Sequence, residues 1–307
     1  MLELFKNHIN QNLPFLKEGK LLIAVSGGID SVVLVHLCYK SKLDIALAHC
    51  NFKLRGLDSD TDEDFVIHLA NSLNLEAFTQ SFDTEQYAKA KKLSIQMAAR
   101  VLRYQWFEEM QSQLDFDYLL TAHHADDNLE TFLINLSRGT GLVGLTGIPE
   151  VNDTIVRPLL KFSREDIETY AKDNSLKWRE DKSKSSTKYL RNKLRHEVIP
   201  ILKGINPQII QNFQKTITHL QESQSIVNDR IDKVSDTILN VEENEIQLNI
   251  EAIQKLNNPK AYLYEILKDY GFTEFQNVEE FLKAQNGKFV VYKEWRLLRN
   301  RDQFIVS

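Results

Sequence analysis

Cysteine is nearly absent from this chain: 307 residues carry two, Cys38 and Cys50. A fold stapled by disulfides is thereby excluded, and a reducing, cytoplasmic compartment is the expectation. Long apolar runs are missing too. None approaches the roughly 18 residues of a membrane span, so no membrane partner is expected. The opening residues, Met1-Leu-Glu-Leu-Phe-Lys-Asn-His8, interleave charge with apolar side chains, unlike a secretory signal. An excess of positive charge is also lacking. The formal net charge of −5 argues mildly against nucleic acid, but a partner meets local patches and not the sum. With 42% apolar and 26% charged residues the composition is that of an ordinary globular protein. The length suggests about two domains of ~150 residues, each with a core of its own.

Up to about residue 125 the chain alternates strand-like apolar runs, at 21–25, 45–49, 76–82 and 118–122, with helical patterns at 31–41, 58–73 and 84–113. Such alternation implies βαβ units and a parallel sheet, whose ligands bind beyond the carboxyl ends of the strands. A helix at 127–138, a short strand at 156–160 and a Ser-capped helix at 163–174 follow, and 177–203 is strongly basic. From Pro207 the character changes. Ile210, Phe213, Ile217, Leu220, Val227, Ile231, Val234 and Ile238 keep the three-to-four spacing of one long amphipathic helix. Helices at 259–270 and 278–284 and a hairpin over 289–306, turning near Asn300-Arg301-Asp302, complete the reading. The expected class is α/β: a parallel-sheet domain over 1–203 with a basic linker, then a smaller helical domain over 204–307. The narrow apolar stripe permits a homodimer as readily as a single-chain bundle.

The strongest signal is Leu-Leu-Ile-Ala-Val-Ser26-Gly27-Gly28-Ile29-Asp30-Ser31. A buried strand ends, two glycines follow, and a helix opens. Glycines let backbone amides approach a phosphate, and the helix N-terminus adds its positive dipole end. The Ser26 and Ser31 hydroxyls can donate as well. Asp30 cannot favour a phosphate by charge, so it suits Mg²⁺ bridging to the phosphates. A tight turn with an Asp/Ser cap would explain the glycines alone but not the whole string. No Gly-Lys-Ser/Thr follows, so this is not a Walker A loop. A second glycine string, Gly139-Thr-Gly141-Leu-Val-Gly144, follows a helix rather than a strand and reads as a C-cap and loop, not a dinucleotide fingerprint.

The Ser-Gly-Gly-x-Asp-Ser string resembles the signature of the PP-loop ATP pyrophosphatases. That resemblance implies the adenine nucleotide alpha hydrolase-like fold, ATP bound by Ser26, Gly27, Gly28, Ile29, Asp30 and Ser31, and adenylation of a substrate oxygen with release of pyrophosphate. Other strings are less decisive alone. His49-Cys-Asn51-Phe-Lys-Leu-Arg-Gly56 sits at a strand's carboxyl end, where ligand contact and a plain strand-to-loop transition are equally served. Arg100 and Arg103 share a helix face, either solvated or set to stabilise charge on a leaving phosphate. In Thr121-Ala-His123-His124-Ala-Asp126-Asp127-Asn-Leu-Glu130-Thr131, the Asp127/Glu130 spacing fits a capping box or a pair of carboxylates gripping an ammonium. Lys184, Lys188, Arg191 and Arg195 belong to a basic stretch that could follow an RNA backbone or simply face water.

Taken in order, these strings resemble the tRNA lysidine synthetases over about residues 21–200. The resemblance implies lysine near Asp127 and Glu130, Asp30 and Arg100 in catalysis, and His49, Asn51, Arg103, His123 and His124 close by. It implies tRNA contact through Lys184, Lys188, Arg191 and Arg195. The implied ligands are ATP, Mg²⁺, L-lysine and an isoleucine tRNA with a CAU anticodon. Lys184 stands where the family usually has Asn, which unsettles that position's role but not the chemistry. Some members continue into a further C-terminal domain, so a short form or a truncation is expected. The rivals are a PP-loop tRNA thiolase, for which paired cysteines are lacking, a small-molecule amide ligase, and a non-catalytic RNA-binding module.

Overall fold

The computed structural model describes residues 1–180, 190–242, 245–272 and 280–307. The chain divides into two units, Met1–Leu220 and Gln221–Ser307.

The first unit opens with α1 (Leu2–Asn12), then β1 (Leu21–Ala24), α2 (Ile29–Lys40), β2 (Ile45–Asn51), α3 (Leu57–Leu73) and β3 (Ala77–Ser81). Next come α4 (Thr84–Lys91), α5 (Ile95–Leu114), β4 (Tyr118–Leu120), α6 (Ala125–Arg138), α7 (Leu142–Leu145), β5 (Val151–Asn152), β6 (Ile155–Val156) and α8 (Arg164–Asp173). The sheet order is β3-β2-β1-β4-β6-β5, parallel except for the β5–β6 pair. β1 is central and buried on both faces, which is why it reads as an unbroken apolar run. Its side chains alternate. Leu21 and Ile23 join Phe5, Leu34 and Ile167 on one face, while Leu22 joins Trp106, Phe107 and Met110 on the other. The sheet is therefore covered by α1, α2 and α8 on one side and by α5 on the other.

Two elements differ from expectation. The helix expected over 84–113 is two helices. Lys92 turns into the left-handed region at φ 54°, and Ser94 starts α5 afresh by accepting from the Met97 amide at 3.2 Å. The strand expected over 156–160 stops at Val156, because Pro158 has no amide to give a ladder and the Leu160 amide turns back to the Arg157 carbonyl at 3.2 Å.

α9 (Leu190–Lys193), a π-helical turn over Leu194–Val198 and α10 (Ile199–Ile205) lead into α11 (Ile209–Ile238). Ile210, Phe213 and Ile217 of α11 pack with Ala125, Leu129 and Ile199 in the first unit, whereas Val234 and Ile238 belong to the core of the second. The division thus falls inside a helix and not at 203/204, because the apolar stripe serves two cores in turn.

The second unit also carries α12 (Ile250–Gln254), α13 (Pro259–Leu267) and five short strands: β7 (Leu239–Val241), β8 (Ile246–Asn249), β9 (Phe289–Tyr292), β10 (Trp295–Asn300) and β11 (Gln303–Val306). They form an antiparallel sheet in the order β7-β8-β11-β10-β9. The expected hairpin is there, with Asn300 opposite Gln303 across Arg301-Asp302. The unit is not helical throughout, however: β9 splits off the first arm of the expected hairpin, and β7 and β8 were too short to show a period-two pattern. The helix expected at 278–284 falls partly outside the described residues. Leu248, Phe304 and Val306 are fully buried against Ile253 and Leu263. Among the described residues no helix is long and apolar enough to cross a membrane.

Leu248→Ala is expected to destabilise the second unit by about 2–5 kcal/mol, as deep apolar truncations do. Urea unfolding measures this, and a loss below about 1 kcal/mol would remove Leu248 from the core.

Candidate active site

The loops after β1, β2 and β4 converge on a cavity of about 360 Å³. After β1 the chain enters the glycine turn. Gly27 has φ 83°, which a side chain rarely adopts, so the backbone conformation and not want of space calls for glycine there. The Arg179 amide ties the turn from behind by donating to the Gly27 carbonyl at 2.9 Å. Gly28 caps α2, whose first amides have no acceptor within the helix. Ser31 Oγ donates to the Gly28 carbonyl at 2.8 Å, and Ser26 Oγ accepts from the Gly28 amide at 3.3 Å. Ser26 is exposed, and Ser26, Asp30 and Ser31 all line the cavity. The turn therefore presents amides, hydroxyls and a helix N-terminus to open space, a phosphate-binding arrangement.

The other walls have distinct chemistry. Ala24, Ala48, Cys50, Phe52 and Phe107 give an apolar end, while Arg103, Tyr104, His123, Asp127, Arg191 and Arg195 give a polar one. Strand alternation decides which β2 residues take part: Ala48, Cys50 and Phe52 point in, so His49 and Asn51 point away. His49 is buried and donates from Nδ1 to the Val25 carbonyl at 2.8 Å, with burial holding its pKa below the usual value. Asn51 donates to Asp60 at 2.9 Å and Glu63 at 2.7 Å, tying β2 to α3. Both expected site residues thus brace the site from beneath, and neither lines the cavity.

The acidic residues after β4 are each matched by a cation. Asp127 Oδ2 accepts from the His124 amide at 3.1 Å, which is the capping geometry, and Oδ1 accepts from Arg195 at 2.7 Å. Arg195 also donates twice to Glu130, at 2.6 and 2.9 Å. Glu130 is 1% exposed. Burial opposes the Asp127 charge, but His124 and Arg195 overcome it and hold its carboxyl below the usual range, whereas burial leaves Glu130 raised despite Arg195. Asp126 is held by Lys203 at 2.5 Å, and Asp30 by Arg164 at 2.5 Å. His124, the buried N-cap of α6, lies 3.3 Å from Asp127 and 3.8 Å from Asp30. A second cavity of about 550 Å³ adjoins this cluster and shares Arg195 with the first.

Comparison with known proteins agrees with this geometry. The PP-loop domain family matches residues 1–202, and the TilS substrate binding domain matches residues 241–307. The tRNA(Ile)-lysidine synthase of Bacteroides thetaiotaomicron is 38% identical over 302 residues, covering 98% of this chain and 70% of the relative. The chain belongs to the tRNA(Ile)-lysidine synthase family. The synthase of Bacillus subtilis is 36% identical and covers 92% of this chain and 63% of its own length; that of Porphyromonas gingivalis is 38% identical and also 63% covered. The chain thus spans about two thirds of the length of these relatives. Among solved structures, the U34-tRNA thiolase NcsA from Methanococcus maripaludis shares the fold, with a TM-score of 0.56 at 19% identity over 71% of this chain and 80% of that one.

As in the family, this chain is an ATP-using ligase that modifies a tRNA base. Of the expected ATP-binding turn, Ser26, Asp30 and Ser31 line the first cavity, whereas Gly28 and Ile29 line the second. Asp127 and Glu130 stand together. Arg191 and Arg195, expected to meet RNA, stand against this pair, Arg195 on both acids and Arg191 3.4 Å from Glu130, with Arg191 also donating to Thr131 at 2.5 Å. Two buried carboxylates need a cation nearby, and this helix supplies it. Arg103 lines the cavity and stacks over Phe52; Arg100 does not line it and lies 4.9 Å over the Tyr104 ring. Lys184 and Lys188 lie outside the described residues. Tyr104, Phe52 and Lys203 lay within strings noted in the sequence but without a role, whereas Arg164 carried no signal at all and comes from 134 positions beyond its partner. No group of three or more His, Cys, Asp or Glu that could hold a metal occurs among the described residues. Asp30 beside Ser26 and Ser31 still suits Mg²⁺, which typically takes one or two carboxylates and borrows its other ligands from phosphates and water.

Burial, reinforced by Arg157 and Arg191, pulls the His123 imidazole down to about 4 even though Asp127 pulls the other way. From about pH 4 to 6.5 the unfolded chain then binds a proton that the folded chain refuses, so stability rises with pH across that window. His123→Asn is expected to flatten this rise, read by urea unfolding at about pH 4.5 and 6.5; an unchanged slope would mean that His123 does not titrate low.

Proposed function

We propose that this chain adenylates the C2 oxygen of the wobble cytidine in an isoleucine tRNA with a CAU anticodon, and then joins the ε-amine of free L-lysine to that carbon. One observation carries the reading: a single cavity runs from the phosphate-binding turn to the Asp127 carboxylate, with Glu130 just behind. Adenosine suits the apolar end by Ala48, Cys50, Phe52 and Phe107, and the phosphates suit Ser26–Ser31. Magnesium on Asp30 and the phosphates would neutralise charge on the leaving pyrophosphate. The cytidine oxygen attacks the α-phosphorus as pyrophosphate leaves. The lysine nitrogen then attacks C2, AMP departs with the oxygen, and the amine gives up a proton. Activation is needed because a carbonyl oxygen leaves poorly and AMP leaves well. Arg195 fills the hydrogen-bond positions that an ammonium would take at Asp127 and Glu130, so lysine binding exchanges that contact for its own. The compartment we propose is the cytoplasm, where ATP, lysine and tRNA meet.

Thiolation fits less well. Cys50 reaches the cavity, but burial pushes its thiol up to about 12, and Cys38 lies in the core on the opposite face. Sulfur chemistry needs a thiolate, and neither cysteine is one near neutral pH.

The purified chain, incubated with ATP, Mg²⁺, labelled lysine and the CAU-anticodon tRNA, is expected to place label in the RNA. An RNA that stays unlabelled while pyrophosphate is released would sink the choice of lysine. Asp127→Asn keeps the helix cap but removes the charge, and is expected to raise the lysine KM about tenfold or more with ATP affinity unchanged. An unaltered lysine KM would remove Asp127 from the amine site.

A further inference from the structure

Asp30, Asp126, Asp127 and Glu130 each have a cation against them; Arg157 is the opposite case. It follows β6 and is 8% exposed. Its Nη1 donates to the Pro149 carbonyl at 2.7 Å, its Nε is buried without a partner, and no carboxylate among the described residues pairs with it. A guanidinium does not shed its proton, and an unpaired buried charge is costly. A second cation makes matters worse: Arg100 lies close enough to oppose its charge, and Arg100 itself stacks over the Tyr104 ring at 4.9 Å. Arg100 is exposed, and no carboxylate among the described residues is paired with it. Buried donors left without partners call for an explanation such as a ligand.

We propose that Arg157 and Arg100 form an anion subsite at the rim of the cavity for a phosphodiester of single-stranded RNA, the linkage beside the nucleotide whose base enters. This rests on the RNA reading above. Two observations separate this anion from the ATP phosphates. The cavity that opens on Ser26 and Ser31 is lined by Tyr104 but by neither Arg100 nor Arg157. Moreover, the face of α5 leading outward from Tyr104 carries Arg100 and then Met97, which is 48% exposed, and the first turn of α5 holds no acid. Positions 97, 100 and 104 share one helix face. A strand offers a phosphate and a base face at each step, and this side of α5 gives it one cation, Arg100, between the Tyr104 ring at the cavity and the exposed Met97. A base drawn inward necessarily leaves its flanking phosphodiesters outside.

The test uses the full chain and a CAU anticodon stem–loop RNA, followed by fluorescence anisotropy over a salt series. Arg157→Gln is expected to weaken binding about tenfold and to lower the slope of log K against log salt by about 0.7, the value for one single-strand phosphate. Affinity for a non-hydrolysable ATP analogue is expected to hold. Because Arg157 also fastens the Pro149 carbonyl, the contact is probed from the RNA side as well. A methylphosphonate on either side of the target cytidine removes one phosphate charge and leaves the protein intact. One of these two linkages is expected to weaken wild-type binding by a similar factor and to add nothing to Arg157→Gln. The inference falls if neither neutral linkage weakens binding, or if Arg157→Gln loses affinity for inorganic pyrophosphate instead. A wild-type chain that ignores the RNA altogether overturns this subsite and the RNA reading beneath it.

Discussion

Two carboxylates buried side by side cannot both stay ionised without a cation, and Arg195 is the cation that the Asp127–Glu130 pair depends on. Much of the site follows from that contact. It draws the segment from α9 to α10 onto α6 and closes the acidic wall between the two cavities. It also takes place in a π-helical turn, a rare conformation that adds a residue to the helical circuit and is common where side chains serve function. Removing Arg195 would leave two acids facing each other in a site of low polarity, and protonation of Glu130, already raised by burial, would be the easiest relief.

The same logic organises the rest of the cluster. Asp30 and Asp126 are bound by Arg164 and Lys203, which arrive from α8 and α10. Charges near the phosphate-binding turn are thus balanced within the protein, and the turn itself offers only neutral donors and a helix end. A polyanion entering this space meets little uncompensated negative charge except on the face of Asp30 that a divalent cation would cover.

Much of the first unit was readable because its signals are local. The apolar run of β1, the glycine pair and the capped start of α2 lie within a dozen residues, and their chemistry needs no distant partner. The Asp127/Glu130 pair was legible as a pair, with capping and charge binding left open; the capping box is instead made by His124 and Asp127, one oxygen of Asp127 accepting from the His124 amide while the other faces Arg195, and Glu130 takes no part in it. His49 and Asn51 were misplaced because a string at a strand's end does not reveal which face each residue takes. Arg157 was legible only as part of an Arg157-Pro158-Leu159-Leu160 string that continues the family resemblance, and Arg164 not at all, because their partners are set by tertiary contact. In the second unit β7 and β8, of three and four residues, gave too little alternation to compete with the long helix before them.

The break between α4 and α5 has a consequence for how this protein can vary in length. Lys92, Leu93 and Ser94 lie on an exposed connection of the kind that usually tolerates insertion. The Ser94 cap, by contrast, fixes where α5 begins, and a residue inserted beyond it turns everything that follows by about 100° relative to the cap. With the cap held, one extra residue between Ser94 and Arg103 would swing Arg103, Tyr104 and Phe107 off the cavity. Length is therefore free ahead of the cap and fixed between the cap and the pocket.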